Sequence, residues 1–225
     1  MANTGTSGFG LKAAMRVGNT PSIGGQSKYQ VKSGLGVGIF KGNPVSRQHT
    51  GDEGYIQDVS FATTDDGVSS AGGTAYDNSA SNVAKLIGVF NGIFFIDNTT
   101  EKPTFANSVA ASTTFGADPN TGSSDGIGFV NDDPMQEYIV KSDAAVAQTK
   151  IGDAFNIKNF TASDAKNGQS TAFLAVDGVT GANTKMFRVV RSAEDPDNED
   201  LSAANCNIIV AYNACLLYTS DAADE

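Results

Sequence analysis

The sequence predicts a mainly β protein, a small β-barrel or β-sandwich with one short helix and long loops rich in Gly, Asn and Ser. Two observations predict this fold class. Short runs rich in Val, Ile, Phe and Tyr recur along the chain, and Gly, Asn, Asp, Ser and Pro fill the gaps between them. Glycine accounts for 25 of the 225 residues, as expected of a chain with many turns.

The longest apolar run, residues 85–96, is too long and too rich in glycine for one straight strand. Asn91-Gly92 lies between the runs LIGVF and IFFI, and this dipeptide favours a type I′ turn, so a hairpin is predicted. A single strand with a bulge at Gly92 stays open as the alternative. The predicted strands are residues 28–32, 36–40, 55–61, 85–96 (as a hairpin), 126–130, 137–141, 171–176, 185–191 and 206–212.

One short helix is predicted at residues 143–151. Ser142 can cap its N-terminus, three alanines favour it, and Gly152 stands where a C-terminal glycine belongs. Residues 63–82 lack apolar alternation and are predicted to form a long polar loop.

The chain divides into an N-terminal arm (residues 1–27), a β domain (residues 28–214) and a tail (residues 215–225). The arm is predicted to be flexible or ordered by a partner, because it is rich in small polar residues. The tail back-translates to a transposase mosaic end followed by a sequencing-read adaptor, so we interpret it as non-native. The natural chain is then expected to continue beyond Ala214; a genuine acidic tail is the alternative.

Charge and cysteine content restrict the function classes. Without the tail, the chain has 22 acidic and 15 basic residues, which gives a formal charge of −7, compared with −10 for the whole chain. An acidic chain with scattered basic residues is not expected to bind nucleic acid. Only Cys206 remains outside the tail, which leaves no intrachain disulfide. We see no signal peptide and no run long enough to span a bilayer, so no membrane association is expected.

The residues give little support to catalysis, and the chain is not predicted to be an enzyme. The single histidine, His49, has a loop composition around it, and nothing pairs it with a nucleophile. One histidine and one native cysteine cannot supply the usual zinc ligands, and the glycines of GLGVG lack the spacing of a phosphate-binding loop. Ser163 and Lys166 match a Ser-x-x-Lys motif without its partner motifs. No cofactor and no metal are predicted.

Two acidic stretches, residues 118–126 and 195–200, place oxygen ligands at alternate positions, as a calcium loop does. Neither completes the loop pattern, and Asx-type turns are the favoured interpretation. Asp132-Asp133-Pro134 is likewise predicted to be a turn that opens the following strand.

The order of several short motifs resembles a family of tailed-bacteriophage virion structural proteins, similar in character to capsid decoration, or cement, proteins. The resemblance extends over most of residues 1–214. Leu11 replaces an aromatic residue of the family pattern, Asn43 replaces an aspartate, and Asp195 stands where arginine is usual. The motifs are GFGL (residues 8–11), GNPV (42–45), IGVFNG (87–92), DDP (132–134) with EYIV (137–140), and DPDN (195–198).

The resemblance implies a protein that binds and stabilises the assembled capsid on its outer surface, after assembly in the bacterial host cytoplasm. Its implied partners are the lattice of the major capsid protein and further copies of this chain, with a trimer favoured. A tail or host-adsorption component of the same particle is the alternative. The candidate partner-contact residues are Phe9, Leu11, Asn43, Asp132, Asp133, Asp195, Asp197 and Asn198.

Overall fold

The computed structural model describes residues 3–22, 24–47, 54–58, 86–158, 164, 166–176 and 185–213. This part of the chain is mainly β, which confirms the predicted fold class. Its strands are β1 Lys12–Arg16, β2 Thr20–Pro21, β3 Ser27–Val31, β4 Ile39–Phe40, β5 Pro44–Arg47, β6 Ile56–Asp58, β7 Leu86–Ile96, β8 Pro103–Ala106, β9 Ser108–Val109, β10 Gly126–Asn131, β11 Gln136–Lys141, β12 Ala154–Phe155, β13 Ile157–Lys158, β14 Phe173–Leu174, β15 Phe187–Ser192 and β16 Asn207–Tyr212.

Two six-stranded sheets dominate the described structure. Sheet A has the order β12-β15-β16-β11-β1-β2, and sheet B has the order β3-β10-β7-β5-β6 with β8 also paired to β7. All the strand pairs in both sheets are antiparallel. Two further pairs, β13–β14 and β4–β9, form small sheets of their own.

Each sheet has its own hydrophobic core. The A core packs side chains of β11, β15 and β16, among them Tyr138, Phe187 and Val210, which are fully buried. The B core packs Phe90 and Ile93 of β7 with residues of β3, β5, β6 and β10. Burying such large apolar side chains is the main favourable contribution to folding, about 1.5–3 kcal/mol for each.

The two sheets meet near Val89 of β7 and Asn131, the last residue of β10. Val89 of β7 belongs to the A core, although its neighbour Phe90 belongs to the B core. The hydroxyl of Tyr138 donates to the backbone carbonyl of Asn131 at 3.3 Å and shares a hydrogen bond of 2.8 Å with the hydroxyl of Tyr212. This contact region, here called the joint between the sheets, is therefore buried and contains a polar group of Tyr138, Tyr212 and Asn131.

The predicted hairpin at Asn91-Gly92 is wrong. Residues 86–96 form the single strand β7, and its pairing with β10 shifts register opposite Asn91, which has no partner there. Gly92 adopts a φ of 153°, which a residue with a side chain rarely does. The alternative of a bulged strand at Gly92 is thus the correct one, because both halves of β7 pair with the same strand β10.

The predicted helix at residues 143–151 is reduced to one 3-10 turn, Gln148–Lys150. Tertiary contacts hold the preceding residues in place. The backbone N–H of Asp143 donates to the carbonyl of Leu174, its carboxylate accepts from the N–H of Val176, and Ser142 donates to Ala144 instead of capping a helix. Local preference for a helix is outweighed by these bonds to distant parts of the chain.

Candidate functional site

The N-terminal segment, residues 3–11, lies along the chain's own β domain. The N–H of Leu11 donates to the carbonyl of Gly42 at 3.0 Å, and that of Gly10 donates to Ala172 at 3.2 Å. The side chain of Gln169 donates to the carbonyl of Phe9 at 2.8 Å. Sequence reasoning expected an arm over residues 1–27, whereas β1 and β2, within that range, are strands of sheet A. Ordering of this segment by a partner stays a prediction.

Three predicted contact residues lie on or next to this segment. Phe9 is half-buried, and the ammonium of Lys12 lies 4.3 Å from the centre of its ring, in a cation–π contact. Leu11 is buried in the A core. Asn43 is fully buried, and its amide donates to the carboxylate of Asp58 at 2.9 Å. In this chain Leu11 and Asn43 therefore contribute to packing within the β domain.

Three others, Asp195, Asp197 and Asn198, lie in the loop before β16. This loop binds the N-terminal segment. The side chain of Asn198 accepts a hydrogen bond of 2.9 Å from the N–H of Thr4. Asp195 accepts from the N–H of Asp197 at 3.1 Å and from the amide of Asn207 at 2.6 Å, and these hydrogen bonds lower the pKa of its carboxyl group. The loop thus holds residues 3–5 against sheet A.

The remaining two, Asp132 and Asp133, lie in the turn between β10 and β11. Asp132 accepts from the hydroxyl of Tyr29 at 2.8 Å, and burial with this bond raises the pKa of that hydroxyl to about 12. Asp133 forms an ion pair of 2.7 Å with Arg16 and accepts from the N–H of Met135 at 2.9 Å. The predicted turn at residues 132–134 is found slightly later, at residues 134–135, where the N–H of Gln136 donates to the carbonyl of Asp133 at 3.0 Å. The predicted residues are thus divided among three places.

An aromatic surface on sheet B, half-buried except for the exposed Phe105, was missed by the sequence reasoning. It comprises Ile127, Phe129, Phe94 and Phe105, which share the outer face of β10, β7 and β8. The rings of Phe94 and Phe105 have centres 4.8 Å apart, and those of Phe105 and Phe129 are 6.4 Å apart. Phe105 is 74% exposed. Lys28 of β3, opposite Phe129, borders this surface.

The signal for this surface was present in the motif GIGF at residues 126–129. In a strand, alternate residues face opposite sides. Gly126 and Gly128 face the B core, where a Cβ on Gly128 would lie 3.0 Å from Val31 and from Ile56. Ile127 and Phe129 must therefore face outward, so the motif places glycine inside and large apolar residues outside.

A cleft of about 300 Å³ lies between the two sheets, next to the aromatic surface. Its walls combine apolar side chains with amides and two cations, Lys12 and Lys41. A shallower depression of about 270 Å³ includes Phe105 and Phe129 and shares Gln26 and Asn91 with the cleft. The cleft lining is Leu11, Lys12, Ala13, Gly24, Gln26, Lys41, Gly42, Val89, Phe90, Asn91, Asn131, Tyr138 and Gln169.

The two candidate calcium stretches contain Asx-type turns. Asp118 accepts from the N–H of Asn120 at 2.7 Å, and Asp195 accepts from that of Asp197. Among the described residues, no group of three or more His, Cys, Asp or Glu could hold a metal ion. His49, Ser163, the loop at residues 63–82 and the tail at residues 215–225 lie outside the described residues.

Within the part of the chain that the structure describes, no helix has the length and apolar character needed to cross a membrane. Comparison with family models, curated proteins and solved structures found no match to this chain. The site must therefore be interpreted from its own geometry, in which the aromatic surface and the adjoining cleft are the prominent features.

Proposed function

We propose that this protein is a structural component of a tailed-phage virion that binds the assembled capsid from outside and stabilises it as a decoration protein. The aromatic surface on sheet B carries the proposal, together with the order of motifs that resembles this family. Aromatic side chains are enriched in protein interfaces, where they supply much of the binding energy. Phe105, at 74% exposure, is an apolar group that a bound partner would remove from water.

The proposed role follows from mass action. A protein that binds the assembled shell better than free subunits stabilises the shell by the free energy of that difference. The net charge, −10 for the whole chain and −7 without the tail, suits a place outside the shell, away from packaged DNA. The proposal includes the major capsid protein lattice as partner and self-association, with a trimer favoured, and assigns no catalytic role.

Quantitative peptide mass spectrometry on purified virus particles from the source of the DNA tests this function. Peptides from residues 1–214 nearly stoichiometric with the major capsid protein are the expected result. Trace amounts would instead favour a tail or host-adsorption component, which is present in few copies. Peptides found only in the cellular fraction would overturn the virion assignment.

A further inference from the structure

The cleft between the sheets has the opposite electrostatic character from the chain as a whole. Among the described residues, its lining contains Lys12 and Lys41 and no Asp or Glu, whereas the chain has 25 acidic and 15 basic residues. Lys28 adds a third cation at the border of the aromatic surface. A cleft lined by one sign of charge attracts groups of the other sign, so this one favours an anionic group.

The bulge in β7 connects the cleft to the aromatic surface. Asn91 is the residue without a partner in β10, and it lines both the cleft and the shallow depression. Bulges commonly redirect a side chain next to a binding site. Gln26 is also shared, so the cleft and the depression form one groove, which ends at Phe105 and Phe129.

The composition of the groove indicates what occupies it. Leu11, Val89 and Phe90 contribute to the cleft wall although each is almost fully buried. Lys41 can pair with a carboxylate that enters the cleft, and Lys12, whose ammonium also contacts the ring of Phe9, adds a second positive charge to the same lining. The groove therefore suits an acidic side chain carried on a peptide, with the carboxylate at the lysines and apolar neighbours against the phenylalanines.

We infer that the partner binds this groove through an extended segment carrying a glutamate or aspartate, whose carboxylate enters the cleft while a neighbouring apolar side chain covers Phe105 and Phe129. The identification of that partner as the shell protein rests on the proposed function. The groove's preference for an acidic segment rests on the cleft alone.

An NMR titration of the full ¹⁵N-labelled chain tests the inference. The probes are the peptide acetyl-Gly-Glu-Gly-Phe-Gly-amide, its glutamine counterpart and free glucuronate. We expect the glutamate peptide to bind about tenfold more tightly than the glutamine peptide, through charge-assisted bonds to the two lysines. Shifts should concentrate at the amides of Lys41, Asn91 and Phe105.

Two variants and one control make the result specific. Lys41→Gln and Lys12→Gln should each reduce the preference for the glutamate peptide. Arg188→Gln removes an equal charge from β15, outside the cleft lining, and should leave the preference unchanged. Equal affinity for the two peptides, or shifts away from the groove, would overturn the inference.

Tighter binding of glucuronate than of the glutamate peptide would also overturn the inference, in favour of an acidic saccharide. The particle measurement is independent of this titration. Acidic-peptide binding with no virion peptides would leave the groove assignment standing and remove the shell as its partner. Virion peptides together with equal binding of the glutamate and glutamine peptides would leave the virion assignment standing and remove the groove as the binding site.

Discussion

Sheet A and sheet B use their large apolar residues differently. Every residue of β16, in the interior of sheet A, is buried. In β8 of sheet B, by contrast, Phe105 is largely exposed and contacts two further phenylalanines on the same face. The A core therefore contributes chiefly to stability, whereas the outer face of sheet B leaves apolar area in water, which we propose a partner covers. Substitutions in the two places should separate these two contributions.

The largest expected effect is in the A core. Phe187→Ala should lower the free energy of unfolding by about 3–5 kcal/mol, because the side chain is fully buried and leaves a cavity. Urea denaturation monitored by circular dichroism measures the change. Phe187→Leu, which keeps most of the volume, should lose less than half as much. Equal losses for the two variants would contradict a close-packed A core.

Gly88 of β7 offers a test where the two sheets meet. A Cβ at this position would collide with the backbone carbonyl of Asn131, which has no room to move within its strand. Gly88→Ala should therefore cost about 1–3 kcal/mol in the free energy of unfolding, measured by thermal and urea denaturation. Gly36→Ala is the matched control, since a Cβ there meets no atom within 4 Å. A neutral Gly88→Ala would mean that β7 and β10 approach less closely.

High pH should destabilise the joint between the sheets. Burial raises the pKa of the Tyr138 and Tyr212 hydroxyls above that of an unfolded tyrosine, about 10. Below pH 10 both hydroxyls are protonated in the folded and unfolded states, so their full contribution to the free energy of unfolding is present. Above pH 10 the unfolded chain loses protons first, and stability falls with rising pH.

The measurement is the free energy of unfolding between pH 8 and 11. In Tyr138→Phe the free energy of unfolding should fall less steeply above pH 10, because one hydroxyl with a raised pKa has been removed. An identical pH dependence in this variant and the original chain would show that other groups cause the loss.

The smallest expected effect on stability is at the aromatic surface. Phe105→Ser should change the free energy of unfolding by no more than about 0.5 kcal/mol, since the side chain is already mostly in water. The same variant should weaken binding of the glutamate peptide in the NMR titration. A loss of several kcal/mol in the free energy of unfolding would show that Phe105 is packed in a core. It could then no longer represent the exposed face of sheet B.

The strands that the sequence predicts best are rich in Val, Ile and Tyr, such as β11 and β16, whose predicted bounds lie within one residue of those observed. β5 was missed because PVSR carries one large apolar residue, and it becomes a strand only by pairing with β6 and β7. β1 was missed because KAAMR resembles a polar arm, and pairing with β11, more than a hundred residues later, makes it a strand. Local composition gives no information on such distant pairing.

The candidate site was predictable only in part. The outward-facing phenylalanine of β10 follows from alternation, once the glycines beside it are recognised as inward-facing. The cleft does not follow, because its lysines come from β1 and from the residue after β4, and their proximity depends on how the sheets join. The calcium stretches illustrate the same limit, since oxygen spacing alone does not distinguish an ion site from a turn.

The strand order of the two sheets has a consequence for synthesis on the ribosome. All six strands of sheet B have been made once residue 131 is added, whereas β16, in the interior of sheet A, ends at residue 212. Sheet B can therefore pair while the later strands of sheet A are still being translated. β1 must wait for its partner β11, and β11 must wait for β16. The half of the molecule with the exposed phenylalanines is thus the first that can form, and nascent chains crowded on one messenger RNA could meet through it.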